Sequence, residues 1–169
     1  MMQPSSHPWF AACLLSGRPT VGALMSLCEE NHGRLLRLAP GLRQATGRLT
    51  SRRSGGVDLH LEVEEQARYT TQLRLTHVFH LPDSTDPRPE PNACLRVYHD
   101  ARQVEVLDLR QSVLPLRGGY QPPALVDKWQ ANLFLAKWLT FCLRQGHCFQ
   151  HPGVATPPLG SVASTPFCT

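Results

Sequence analysis

The chain of 169 residues is 41% hydrophobic and 18% charged, which suits one globular domain with some disordered margin. Its net charge of +4 is uneven, with seven Arg against two Glu in residues 1–56, six Arg against ten acids in 57–110, and four bases against one acid in 111–169. No dense basic stripe with interleaved aromatics occurs, which argues against a nucleic-acid partner, and no run approaches the roughly 18–20 apolar residues of a membrane span.

Residues 1–18 read as a loose tail. Trp9 to Leu15 is apolar, but no Lys or Arg precedes it and the run is short for a signal peptide. Pro19-Thr20 then marks a helix start. From Val21 to Leu38 the positions Leu24, Cys28, Leu35 and Leu38 recur at helical spacing, with Asn31 on the same stripe. Arg34 and Arg37 complement the dipole of the last turn, and Pro40-Gly41 ends the helix. Residues 45–56, rich in Arg, Ser, Thr and Gly, read as a linker.

Four strands follow. Val57, Leu59, Leu61 and Val63 alternate with Asp58, His60 and Glu62, and Tyr69 to Phe79 alternates likewise. Pairing Val63 with Tyr69 sets Leu61 against Thr71, Leu59 against Leu73 and Asp58 against Arg74. The four prolines and several acids of residues 82–92 form an exposed loop. Ala93–Tyr98 and Gln103–Asp108 then pair around His99-Asp100-Ala101-Arg102, with Val97 opposite Val104, Leu95 opposite Val106 and Arg96 opposite Glu105.

After a Pro/Gly-rich connection at 110–124, Leu125 to Gln145 is the strongest helix. Its apolar arc covers more than half the circumference and includes Trp138, Leu135, Leu139 and Cys142. Lys128 and Asn132 fall on that arc, one turn apart. Gly146 suits a C-cap, and the tail from residue 152 reads as disordered. The expected fold is α+β: an N-terminal helix, a four-stranded antiparallel meander and a long C-terminal helix packed on one sheet face, all within residues 19–151.

Three polar blocks stand out against these apolar segments, because a polar group on apolar surface must be partnered or belong to a site. They are Arg68-Tyr69-Thr70-Thr71, Tyr98-His99-Asp100-Ala101-Arg102 and Asp127-Lys128-Trp129-Gln130-Ala131-Asn132. With Leu27-Cys28-Glu29-Glu30-Asn31 they resemble, in order, the blocks of the YqiB-like family of Gram-negative bacteria, over roughly residues 20–146. The resemblance implies a cytoplasmic domain of unknown function and supplies no reaction. Two departures from the family pattern are Lys137, where the family has an acid, and a shorter connection around Tyr120-Gln121-Pro122.

Each candidate has a structural reading beside the functional one. His99 and Asp100 form a base with its orienting carboxylate or two phosphate or metal contacts, or else a hairpin turn in which Asp100 bonds its own backbone. Arg68, Tyr69 and Thr71 bind an anion, or sit in an ordinary strand whose Arg68 pairs with Glu64 or Glu65. Lys128, His99 and Arg68 surround one anion pocket, Tyr98 and Asn132 being further ligand-binding candidates; or Lys128 snorkels and Asn132 ties its helix to a carbonyl, with Asn31 across the interface. His77 reads as a satisfied core residue. Cys142, His147, Cys148 and His151 match no common zinc spacing, and no Walker loop, GxGxxG, HExxH or GxSxG occurs. No metal or cofactor is expected. The six cysteines lack a CxxC and suit a reducing compartment with no disulfide framework. These readings favour a non-enzymatic binding or regulatory domain for a protein partner or a small anionic ligand. The alternative is a hydrolase or transferase acting on a phosphorylated or nucleotide-like substrate.

Overall fold

Thr20 begins the first helix, α1 (Val21–Leu38): its hydroxyl accepts the Ala23 amide at 3.1 Å, answering one of the donors that a helix start leaves unpaired. A computed structural model describes residues 19–79, 88–111 and 125–150. The expected tails, the tip of the proline loop at 82–87 and the connection at 112–124 lie outside the described residues. After α1 and a short 3₁₀ turn (Leu42–Gln44) come five strands: β1 (Gly47–Ser51), β2 (Asp58–Gln66), β3 (Thr70–Phe79), β4 (Arg88–Tyr98) and β5 (Gln103–Arg110). Helix α2 (Leu125–Arg144) follows. The strands form one antiparallel sheet in the order β1-β2-β3-β4-β5.

Four strands were expected, so β1 is a correction. It lies in the segment read as a linker. As an edge strand pairing only with β2, it buries Ser51 and half-buries Leu49, which is too little apolar alternation to stand out. The β2–β3 register is also corrected. Val63 pairs with Leu73, Leu61 with Leu75 and Leu59 with His77, and the pairing shifts between Val63 and Glu65. The slide is an even number of residues, so the faces survive, but the charge partners change. Arg74 meets Glu64 at 2.8 Å, Asp58 meets Arg52 at 3.6 Å, and Arg68 pairs with neither Glu64 nor Glu65. The β4–β5 pairs Val97–Val104, Arg96–Glu105 and Leu95–Val106 are as the sequence indicated. Strand β4 reaches back through Pro89 and Pro91, which were read as loop. Along that stretch β4 pairs with β3 alone, since β5 ends opposite Asn92, and a proline is tolerated where one edge is free.

One face of the sheet is covered. Leu59, Leu61, Leu73, Leu75, Leu95 and Val97 pack with Leu35 and Leu38 of α1 and with Leu135, Trp138 and Leu139 of α2. The buried stripe of α1 runs through Ala23, Leu27, Asn31, His32, Leu35 and Leu38. Leu24 and Cys28, expected on it, are half-buried. At the end of α2, Gly146 takes φ +77°. Its amide bonds Leu143 O at 3.0 Å and the His147 amide bonds Cys142 O at 3.0 Å, the paired bonds of a glycine-capped helix end. No helix among the described residues is long and apolar enough to cross a membrane.

Candidate functional site

The second polar block forms the β4–β5 turn. Asp100 Oδ1 accepts the Ala101 amide at 2.9 Å, as turn chemistry requires. Arg102 closes the turn at φ +54°, a left-handed conformation uncommon for a residue with a side chain. The His99 ring meets the fully buried Thr71, Nε2 to Oγ1 at 2.7 Å. The His99 amide also bonds Tyr69 O at 2.9 Å, joining this turn to the β2–β3 loop. Burial, then the Arg43 and His32 charges, hold the His99 ring below its ordinary pKa, with Asp100 opposing. His32 of α1 is lowered too, by burial and then Arg102, and its Nε2 is buried with no hydrogen-bond partner among the described residues. Sequence reasoning missed His32 because it sits beside the stripe that was read through Cys28 and Leu35.

In the first block, the Arg68 guanidinium lies 5.0 Å over the Tyr69 ring and its carbonyl accepts from Arg43 Nη2 at 3.4 Å. Both side chains are exposed, so this cation–π contact contributes about 0.5–1 kcal/mol.

The third block stitches α2 to its neighbours. Lys128 is half-exposed, and its Nζ lies 3.4 Å from Glu105 Oε1 on β5. Tyr98 donates its hydroxyl to the other oxygen of Glu105 at 3.1 Å. Asn132 donates to Lys128 O at 2.9 Å, and the Asn132 carbonyl accepts from Asn31 Nδ2 at 2.9 Å. Asn31 Oδ1 accepts from Arg34 at 3.4 Å. Asn31 and Asn132 thus meet across the interface, through a backbone carbonyl of Asn132 rather than its side chain. Asn132 Oδ1 is buried without a partner among the described residues. Glu105, which sequence reasoning placed only as a cross-strand partner of Arg96, is the hub of this seam.

The structure therefore brings Thr71, His99 and the Tyr69 backbone together at one end of the sheet, and Tyr98, Lys128 and Glu105 together at the β5 edge. Lys128, His99 and Arg68 each have a local partner, in Glu105, Thr71 and the Tyr69 ring respectively.

The buried His77 accepts Trp138 Nε1–H on Nδ1 at 2.9 Å, and its Nε2 lies 3.8 Å from Cys142 Sγ. Accepting on Nδ1 requires the neutral ring, and burial, then the His147 charge, lower its pKa to about 4. His147 binds Ser51 Oγ at 2.9 Å. Cys142 and His147 thus have partners other than a metal, and among the described residues no His, Cys, Asp or Glu group is placed to hold one. Burial pushes the thiols of Cys28 and Cys94 up to about 11 and that of Cys142 up to about 12. None of these three is an activated thiolate.

Two grooves of about 320 Å³ each lie elsewhere. One, on the open face of the sheet, is lined by Arg48, His60, Glu62, Arg74, Thr76 and Asn92, among others. The other lies between the helices, lined by Arg34, Ala136, Lys137, Thr140, Phe141 and Arg144. Neither contains a residue of the three polar blocks.

A family model described as a protein of unknown function (DUF1249) matches residues 34–148. The uncharacterized protein YqiB of Escherichia coli strain K12 is similar at 31% identity, across 76% of this chain and 91% of that protein. The protein of the same name from Escherichia coli O157:H7 matches at the same 31% identity. No solved structure matches the chain.

Proposed function

The chain belongs to the DUF1249 family of proteins of unknown function, and within it we propose a non-enzymatic domain, spanning residues 19–151, that binds a small anionic ligand in a regulatory or accessory role. The observation that carries this reading is how the polar blocks are bonded. His99 meets Thr71, Asp100 holds its own turn, Lys128 and Tyr98 meet Glu105, and Asn132 bonds Lys128 O. These are the bonds of an architecture. A hydrolase or transferase using His99, Asp100, Arg68 and Lys128 needs them to converge on one reacting atom, and their separate partners speak against that. The ligand class follows from the cationic groove between the helices. The unpaired Cys28, Cys94, Cys142 and Cys148 support a reducing, cytoplasmic setting.

The test is a thermal-shift screen of the full chain against nucleotides, phosphosugars, simple anions and divalent metals, beside a His99→Ala/Lys128→Met variant. Anions that raise the melting temperature of both proteins support the reading, since ligand binding to the native state alone stabilises it. Turnover of a phosphorylated substrate that His99→Ala abolishes would establish the enzyme instead. A protein partner is a second reading, favoured by the exposed Val21 and Met25 on α1 and Val126 on α2; it gains if no compound shifts the melt.

A further inference from the structure

We infer that the groove between α1 and α2 binds a phosphoryl group, as free phosphate or as the phosphate of a monoester, through Lys137, Arg144 and Arg34; this rests on the anion-binding reading above and gives it a place and a chemistry. On α2, Lys137, Thr140, Phe141 and Arg144 recur at helical neighbour spacing and so share one face. The helical rise sets Lys137 and Arg144 roughly 10 Å apart along the axis, so two long side chains can close on one oxyanion from opposite ends. Arg34 lines the same groove from α1. Its guanidinium is partly answered by Glu30 at 3.0 Å, whereas Lys137 and Arg144 have no hydrogen bond or ion pair among the described residues. No acid lines the groove. The Thr140 hydroxyl donates to Ala136 O at 2.7 Å, so it forms the floor and leaves recognition to the cations.

The groove on the sheet makes the contrast. Its Arg48 lies 2.9 Å from Glu62 and its Arg74 lies 2.8 Å from Glu64. Those two cations are answered by acids, so of the two grooves the helical one focuses a positive potential. An Arg fork beside a Lys point charge suits a tetrahedral oxyanion. Two unanswered cations favour a dianion over a carboxylate. Phe141, 52% exposed at the rim, offers a ring on which a planar group esterified to the phosphate can rest.

Isothermal titration of the full chain at constant ionic strength, with inorganic phosphate, adenosine monophosphate and adenosine, tests this. The parent should bind both phosphates and not adenosine. Lys137→Gln/Arg144→Gln should weaken phosphate binding about tenfold or more, as two charge-assisted contacts are lost, while Arg48→Gln should leave it unchanged. These residues are exposed, so matching ligand-free melts will show that the variants remain folded. Equal affinity for the two phosphates assigns the site to free phosphate. Tighter binding of the monophosphate, lost in Phe141→Ser, assigns it to a monoester. Adenosine binding as tightly as its monophosphate overturns the inference. So does anion binding that survives Lys137→Gln/Arg144→Gln, although the broader reading then stands. If the parent binds no anion, both readings fail.

Discussion

Asn31 and Asn132 are both buried, at 0% and 4% exposure, yet their hydrogen bonds give them opposite values. Asn31 makes a side-chain bond from α1 to α2, onto Asn132 O, and holds Arg34 with its oxygen. The Asn132 side chain bonds only within its own helix and carries an Oδ1 unpartnered among the described residues. Removing Asn31 breaks the tether, so Asn31→Ala should destabilise by about 1–2 kcal/mol. Replacing Asn132 with an apolar side chain of similar size removes an unsatisfied oxygen, so Asn132→Leu should be neutral or stabilising. Urea denaturation of both variants decides it: an Asn132→Leu protein less stable than the Asn31→Ala protein would reverse the assignment. That these two residues were out of place was legible in the sequence, because both fall on apolar stripes. Which one is the tether was not, since spacing gives a residue's face and not its partner. His32 and Glu105 were illegible for the same reason: each is an ordinary residue until the neighbouring element arrives.

Strand registers were legible where the sequence located the turn itself, at 99–102 but not at 67–69. The β4–β5 hairpin has a four-residue turn, His99 to Arg102, and cross-strand pattern alone placed every pair checked in it. The β2–β3 pairing slipped because β2 continues to Gln66 across an irregularity after Val63, and an even slide preserves the apolar face on which the pattern depends. Strand β1 left a different trace. It opens on Gly47 at φ +65°, with open space where a side chain would begin. The left-handed conformation is the whole constraint there, so Gly47→Ala should lower stability by about 1 kcal/mol without steric clash. The midpoint of urea unfolding should fall with its slope unchanged. A midpoint equal to the parent's would mean that β1 begins after residue 47 in solution.

Across the molecule, three histidines tie separate elements together in their neutral state, and a fourth, His32, is buried with no partner on Nε2 among the described residues. His77 joins β3 to α2, His147 holds Ser51 of β1, His99 holds Thr71 of β3, and His32 feels the charge of Arg102 in the β4–β5 turn. All four have pKa values lowered from 6.5, His77 to about 4. Between pH 6.5 and about 4 the unfolded chain binds a proton at His77 that the folded chain refuses. The unfolded state therefore gains relative stability as the pH falls through that window, and the loss ends once the folded ring also protonates. The full window is worth about 3 kcal/mol for His77 alone. By pH 5, still above the ordinary carboxylate range, about 2 kcal/mol of it should be gone relative to pH 7. Urea titrations at the two pH values measure this directly. In His77→Gln the side-chain oxygen still accepts the Trp138 N–H but cannot titrate, so most of the difference between pH 7 and pH 5 should vanish. If the variant keeps the parent's full pH dependence, the acid sensitivity belongs to the other three histidines, and the His77–Trp138 bond contributes packing and no switch.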